Sequence, residues 1–120
     1  MDIIDLVKID ELVESYSGDR DLLKLYLYYL TAFAEDFLKD KGVYDLVDSI
    51  TIEPYRDEEG GWRALYVLVR FKESADVNLV NTLWKEYMEK VRDSLAVKVV
   101  KDMDEEILRF VYVVFRVGGK

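Results

Sequence analysis

The spacing of apolar and polar residues divides the chain into helices and strands. Over residues 2–16, Ile3, Leu6, Val7, Ile9, Leu12, Val13 and Tyr16 recur at helical intervals, opposite Asp10, Glu11 and Glu14. Gly18 suits a left-handed stop, and Asp19 suits the cap of a second helix over 19–41. Lys39 and Lys41 favour its C-terminal end, and Gly42 its stop. Between Leu22 and Leu38 only Lys24, Thr31, Glu35 and Asp36 are neither apolar nor aromatic. Such a helix needs cover on more than one side.

The second half reads differently. Ile50 and Ile52 alternate with Thr51 and Glu53 in a short strand over 49–55, and Pro54 marks it as an edge. The turn Arg56-Asp57-Glu58-Glu59-Gly60-Gly61 leads into a longer strand over 62–72, with Leu65, Val67, Val69 and Phe71 on one face. A helix over 76–93 presents Val77, Val80, Leu83, Trp84, Tyr87, Met88 and Val91, with Ser74 or Asp76 as its cap. Residues 95–101 read as an edge strand guarded by Lys98 and Lys101. After the turn 102–106, residues 107–117 read as a central strand, apolar on both faces.

The expected order is α-α-β-β-α-β-β: one α+β domain over 1–120, with a helical hairpin at 1–42 and a ββαββ unit at 49–117. The strands flanking the 76–93 helix are expected to be parallel, joined by a right-handed crossover. Two hairpins then give a four-stranded, mainly antiparallel sheet of order 3-4-2-1. That arrangement resembles the ferredoxin-like fold, circularly permuted, with helices packed on the sheet. A fold of this kind does not assign a function.

Composition removes chemistry rather than adding it. The 120 residues include no Cys and no His. Zinc fingers, iron–sulfur clusters, His-ligated metals, disulfides, Ser-His-Asp catalysis and a histidine pH switch all lack their groups. No Gly-rich phosphate loop or nucleophile elbow is present. No cofactor is expected and no catalytic residue is selected by spacing. The acidic start and the short apolar stretch Leu25–Ala34 predict neither export nor a membrane span, so the expected location is cytoplasmic. The lack of Gln, the single Pro and a charged fraction of 35% resemble a thermophile composition.

Net charge is −8, and most of it lies in residues 1–48, with 12 acids against 5 bases. That acidity opposes binding to nucleic acid and to anionic membrane. Asp102, Asp104 and Glu106 alternate like cation ligands and Asp57-Glu58-Glu59 adds three more acids, but the two turns fall at opposite ends of the expected sheet and are read as solvated turn charges. Arg109, on the inner face of the last strand, is the other unusual charge and an anion-binding candidate, but the favoured reading places it near a strand end, its head reaching water or an acid.

Surface is more informative than chemistry. Tyr66, Leu68, Arg70 and Lys72 should face away from the helices, joined by Leu108, Phe110, Tyr112, Val114 and Arg116 of the last strand and edged by Lys98. Tyr28 should lie opposite the Tyr26, Leu30 and Phe33 side of its helix. An apolar surface of this extent marks an interface. The leading expectation is a non-enzymatic interaction or assembly domain, self-associating as a homodimer or bound to another protein. Its candidate surfaces are this outer sheet face (Tyr66, Leu68, Arg70, Phe110, Tyr112, Val114, Arg116) and the side of the second helix that carries Tyr28. The alternatives are a small-molecule-binding protein or carboxylate/Tyr-dependent enzyme, and a single-strand nucleic-acid binder using the open sheet face. In the last case the aromatic and arginine residues resemble RNA-recognition domains, without their Gly-rich motif.

Overall fold

In the computed structural model, residues 9–14, 16–56 and 62–118 are described. The elements are α1 (Ile9–Val13), α2 (Arg20–Asp40), a 3-10 turn (Tyr44–Leu46), β1 (Val47–Arg56), β2 (Trp62–Phe71), α3 (Val77–Arg92), α4 (Leu95–Asp104), α5 (Glu106–Phe110) and β3 (Val111–Val117). Part of the expected first helix, residues 2–8 and 15, and the acidic turn residues 57–61 lie outside the described residues.

Among the described residues the sheet has three strands, not four, in the order β1-β2-β3. β1 and β2 form the expected antiparallel pair. β3 pairs with β2 in parallel, so the sheet is mixed and the permuted ferredoxin-like arrangement does not hold. The missing strand is residues 95–101, which form α4. The Ser94 hydroxyl caps that helix by accepting from the Val97 N–H at 3.3 Å. Inside it, Val100 is buried and Ala96 and Val97 are half-buried, at the spacing of an inward helical face. The β-branched residues suggested a strand, but capping and tertiary packing outweigh propensity here. The helical run continues through α5, so β3 begins at Val111 and not at residue 107. Arg109 therefore lies on a helix and pairs with Glu106 at 2.8 Å on the surface. The crossover between parallel strands exists, but it joins β2 to β3, and the centre of the sheet is β2.

Both edges have a physical account. The Gly118 N–H donates to the Phe71 carbonyl at 2.8 Å, so even-numbered peptide groups of β3 turn toward β2 and odd-numbered ones toward the open edge. The Val113 carbonyl, an edge group, accepts from Trp84 Nε1 at 2.8 Å, so α3 satisfies part of that edge. In β1 the alternation turns Pro54 outward, where its missing N–H breaks no ladder bond.

Helix ends follow their caps. Asp19 and Asp76 accept from the Leu22 and Asn78 N–H groups. α2 closes in a Schellman motif: Val43 N–H bonds the Leu38 carbonyl, Gly42 N–H bonds the Lys39 carbonyl, and Gly42 has φ +72°. Gly18 is not left-handed as expected. Its space is taken by neighbours, since a Cβ there would lie 2.3 Å from Asp104 Oδ2.

The core lies between the helices and one sheet face. Ile50, Ile52, Leu65, Val67, Val69 and Phe71 join Leu23, Leu27, Leu30, Leu38 and Tyr87 in a continuous buried cluster. This inner face is the one expected from the alternation in β2. Burying each Leu, Ile or Phe side chain contributes roughly 1.5–3 kcal/mol. The buried Tyr87 hydroxyl donates to the Leu30 carbonyl at 2.8 Å, and Thr31 Oγ1 donates to Leu27 and Tyr28 carbonyls within its own helix. No helix among the described residues is long and apolar enough to cross a membrane.

Candidate functional site

Two surfaces stand out, one on the sheet and one on the helices. On the sheet, register sets the outer face row by row. Glu53, Tyr66 and Tyr112 are neighbours across the three strands; Thr51, Leu68 and Val114 form the next row; Ser49, Arg70 and Arg116 form the third. Five of the expected residues (Tyr66, Leu68, Arg70, Val114 and Arg116) line a hollow of about 390 Å³ with Glu53, Pro54 and Tyr55. Tyr112 adjoins it, with its ring centroid 5.9 Å from that of Tyr66, which in turn lies 5.9 Å from Tyr55. Leu68 forms the floor; it is only 5% exposed yet stands outside the main core cluster.

The structure does not bring Phe110, Leu108 or Lys98 to this face as expected. Phe110 and Leu108 belong to α5, and Phe110 packs on Tyr16 with ring centroids 5.0 Å apart. Lys98 is exposed on α4. Losing Phe110 and burying Leu68 leave the outer face less apolar than the sequence implied. Its exposed members are Tyr55, Tyr112 and Arg116.

Electrostatics divide the hollow. Arg70 and Arg116 are directly opposite in the β2–β3 register, and like charges at facing positions repel. Glu53 Oε2 accepts from Arg70 Nη2 at 3.2 Å and from Thr51 Oγ1 at 3.0 Å. Arg70 Nε is buried and has no acceptor among the described residues. No carboxylate among them pairs with Arg116.

The second surface lies between α2 and α4. Leu22, Leu25, Tyr26, Tyr29, Leu95 and Val99, with Ala96 and Val100, line a groove of about 380 Å³. Every one of these side chains is apolar or aromatic. Along α4, Leu95, Val99 and Met103 recur every fourth residue, and they are 75%, 44% and 64% exposed. Leu25 on α2 is 64% exposed. Tyr28 lies one turn along α2 from Leu25 and is also exposed. Tyr26 is buried at the base, where burial first and the neighbouring Tyr29 second push its hydroxyl pKa up to about 12. Sequence reasoning missed α4's share of this groove. The fourfold spacing of Leu95, Val99 and Met103 after Ser94 was the available signal.

A third hollow, about 250 Å³, lies among α2, α3, α4 and β3 and includes Leu30, Trp84, Met88, Arg92, Val97 and Val111. Two of its polar groups, Trp84 Nε1 and Arg92 Nε, are bonded to the Val113 and Met88 carbonyls. They are satisfied by the fold rather than aimed at a substrate. Asp102, Asp104 and Glu106 fall on α4 and α5 and not in a hairpin turn. Among the described residues no group of three or more acids is placed to hold a metal ion. Compared with known proteins, the chain matches no family model, no curated protein and no solved structure.

Proposed function

We propose that this chain is a protein-interaction domain that self-associates through the groove between α2 and α4. The observation that carries the reading is the outward stripe Leu95, Val99 and Met103 beside exposed Leu25. An amphipathic helix ordinarily turns its apolar stripe inward. α4 has apolar residues on both sides, and its second stripe has no cover among the described residues. Contiguous exposed apolar surface of this kind marks an interface.

A second copy of the chain fits as the occupant. The same surface holds a ridge (Leu95, Val99, Met103) and a groove beside it, the self-complementary form that a two-fold contact needs. The groove lining carries no charge, so two chains of net charge −8 bring no facing like charges into it. Full burial of each Leu contributes roughly 1.5–3 kcal/mol before the entropy of association is subtracted.

Light scattering after size exclusion, over a dilution series from about 200 to 2 μM, tests the reading. The expected result is a mass that moves from dimer toward monomer on dilution. A monomer at every concentration contradicts it.

A further inference from the structure

The outer sheet hollow has a different chemistry from the α2–α4 groove and points to a different kind of ligand. Its walls combine an aromatic row with a cationic one. Tyr55, Tyr66 and Tyr112 make a continuous run of rings at 5.9 Å spacing. Two residues along each strand, Leu68 and Val114 form an apolar floor. Two residues further, Arg70 and Arg116 face each other.

The charge balance of this end is incomplete. Glu53, from the Tyr66 row, is the acid that reaches it, and it takes one Arg70 donor, Nη2. Nε of the same guanidinium remains buried without an acceptor among the described residues, and burying a donor without a partner is unfavourable. Arg116 adds a second cation with no carboxylate among the described residues. An oxyanion placed between the guanidiniums offsets their repulsion, because Arg presents several N–H groups in one plane to carboxylate or phosphate. Arg70 starts four residues from Tyr66 on β2, but its guanidinium reaches back to Glu53 of the Tyr66 row, so only a short linker separates ring from cation. The hollow between the two ends holds about 390 Å³, within the range of small-molecule sites.

We propose that the outer sheet face binds a small molecule in which a planar ring is joined by a short linker to a carboxylate or phosphate. Arg70 and Arg116 hold the oxyanion, and Tyr66 and Tyr112 hold the ring. A long nucleic-acid strand fits less well, because the chain as a whole carries −8 and repels a polyanion.

Calorimetric titration and amide NMR of the full chain test this with defined probes. Adenosine 5′-monophosphate represents the phosphate source and 4-phenylbutyrate the carboxylate source. Adenosine and inorganic phosphate are the half-molecule controls. The expected result is saturable binding of at least one ringed anion, with shifts confined to β2, β3 and the β1 residues facing them. Each half-molecule should bind at least about tenfold more weakly, and the stronger of the two ringed anions identifies the source. Arg116→Gln and Tyr112→Ala alter exposed side chains, so the fold should survive, which the remaining amide shifts verify. Arg116→Gln should weaken binding about tenfold or more. Absence of saturable binding by either ringed anion at millimolar concentration would overturn the proposal. So would unchanged affinity in Arg116→Gln, or inorganic phosphate binding as tightly as the ringed anions. Much tighter binding of a single-stranded oligonucleotide, with steep salt dependence, would also overturn it and assign the face to a polymer.

Discussion

The Tyr16 hydroxyl donates to Asp104 Oδ2 at 2.7 Å, joining residues 88 positions apart. The Asp19 N–H reaches the same oxygen at 3.1 Å. One carboxylate thus fastens the α1–α2 junction to the end of α4, the helix that bears Leu95, Val99 and Met103. The Tyr16 bond first, and the Asp19 N–H second, hold the Asp104 carboxyl below its usual range. A depressed folded-state pKa gives stability that is present above the unfolded value, about 3.9, and is lost as pH falls through the folded value. Asp104→Asn should therefore unfold at lower urea than the native chain at pH 7, and the difference should narrow below about pH 4. Equal differences at pH 7 and pH 3 would contradict this role.

Two glycines should respond to alanine for different reasons. Gly42 has φ +72° and nothing within 4 Å of an added Cβ, so Gly42→Ala acts through backbone strain, about 1–2 kcal/mol. Gly18 has no left-handed strain, but its Cβ would strike Asp104 Oδ2 at 2.3 Å and the Tyr16 ring at 2.7 Å. Gly18→Ala should cost about 1–3 kcal/mol. In the Asp104→Ala background part of that loss should disappear, the contacts with Tyr16 remaining, whereas the Gly42→Ala loss should not change. Urea unfolding of the double-mutant cycle distinguishes the two, and additive losses at Gly18 and Asp104 would disprove the clash.

Alkali should unfold the protein through its buried tyrosines. Burial first, and the neighbouring Tyr26 and Tyr29 next, raise the pKa of Tyr87. Burial is likewise the leading cause for Tyr26, pushed up to about 12, and for Tyr16, where the Asp104 bond adds to it. For groups whose folded pKa is raised, stability is complete below the unfolded pKa, about 10, and is lost as pH rises toward the folded values. Tyrosinate absorbance and far-ultraviolet circular dichroism should therefore change together above about pH 10. Ionisation of these tyrosines with the secondary structure intact would contradict the assignment.

Trp84→Phe keeps most of the ring and removes the donor to Val113. The edge carbonyl of β3 then loses its side-chain partner. The expected loss is about 1 kcal/mol by denaturant unfolding. Amide exchange should quicken along β3 more than along β1. An unchanged midpoint and unchanged β3 exchange would show that the bond does not secure the edge.

These contacts mark how much could be read from residues alone. β2 and α3 were legible because each carries one clean period: Leu65, Val67, Val69 and Phe71 alternate, and Val80, Leu83, Tyr87 and Val91 recur at helical spacing. α2, apolar nearly all round, was legible from Asp19 at its start and Gly42 at its end. Pro54 was informative because its position demands an outward peptide group. α4 was not legible by the same rule. Leu95, Ala96, Val97, Val99, Val100 and Met103 contain an inward and an outward stripe together, and the sum mimics a β-branched strand. That one misreading displaced the strand order, put Phe110 and Lys98 on the sheet face and hid half of the groove. The grouping of Tyr66, Arg70, Tyr112 and Arg116 survived because period two holds in both strands whichever way they pair. The unmet Arg70 Nε was beyond the sequence, since it depends on which guanidinium nitrogen meets Glu53.

Self-association through α2 and α4 is tested most directly by sedimentation equilibrium of the native chain beside Leu95→Glu/Val99→Glu. Both positions are exposed, at 75% and 44%, so the substitutions should leave the thermal midpoint of the isolated chain nearly unchanged. The expected result is a concentration-dependent dimer for the native chain and a monomer for the variant over about 5–200 μM. A native chain that stays monomeric, or a variant that dimerises as tightly as the native chain, would contradict it.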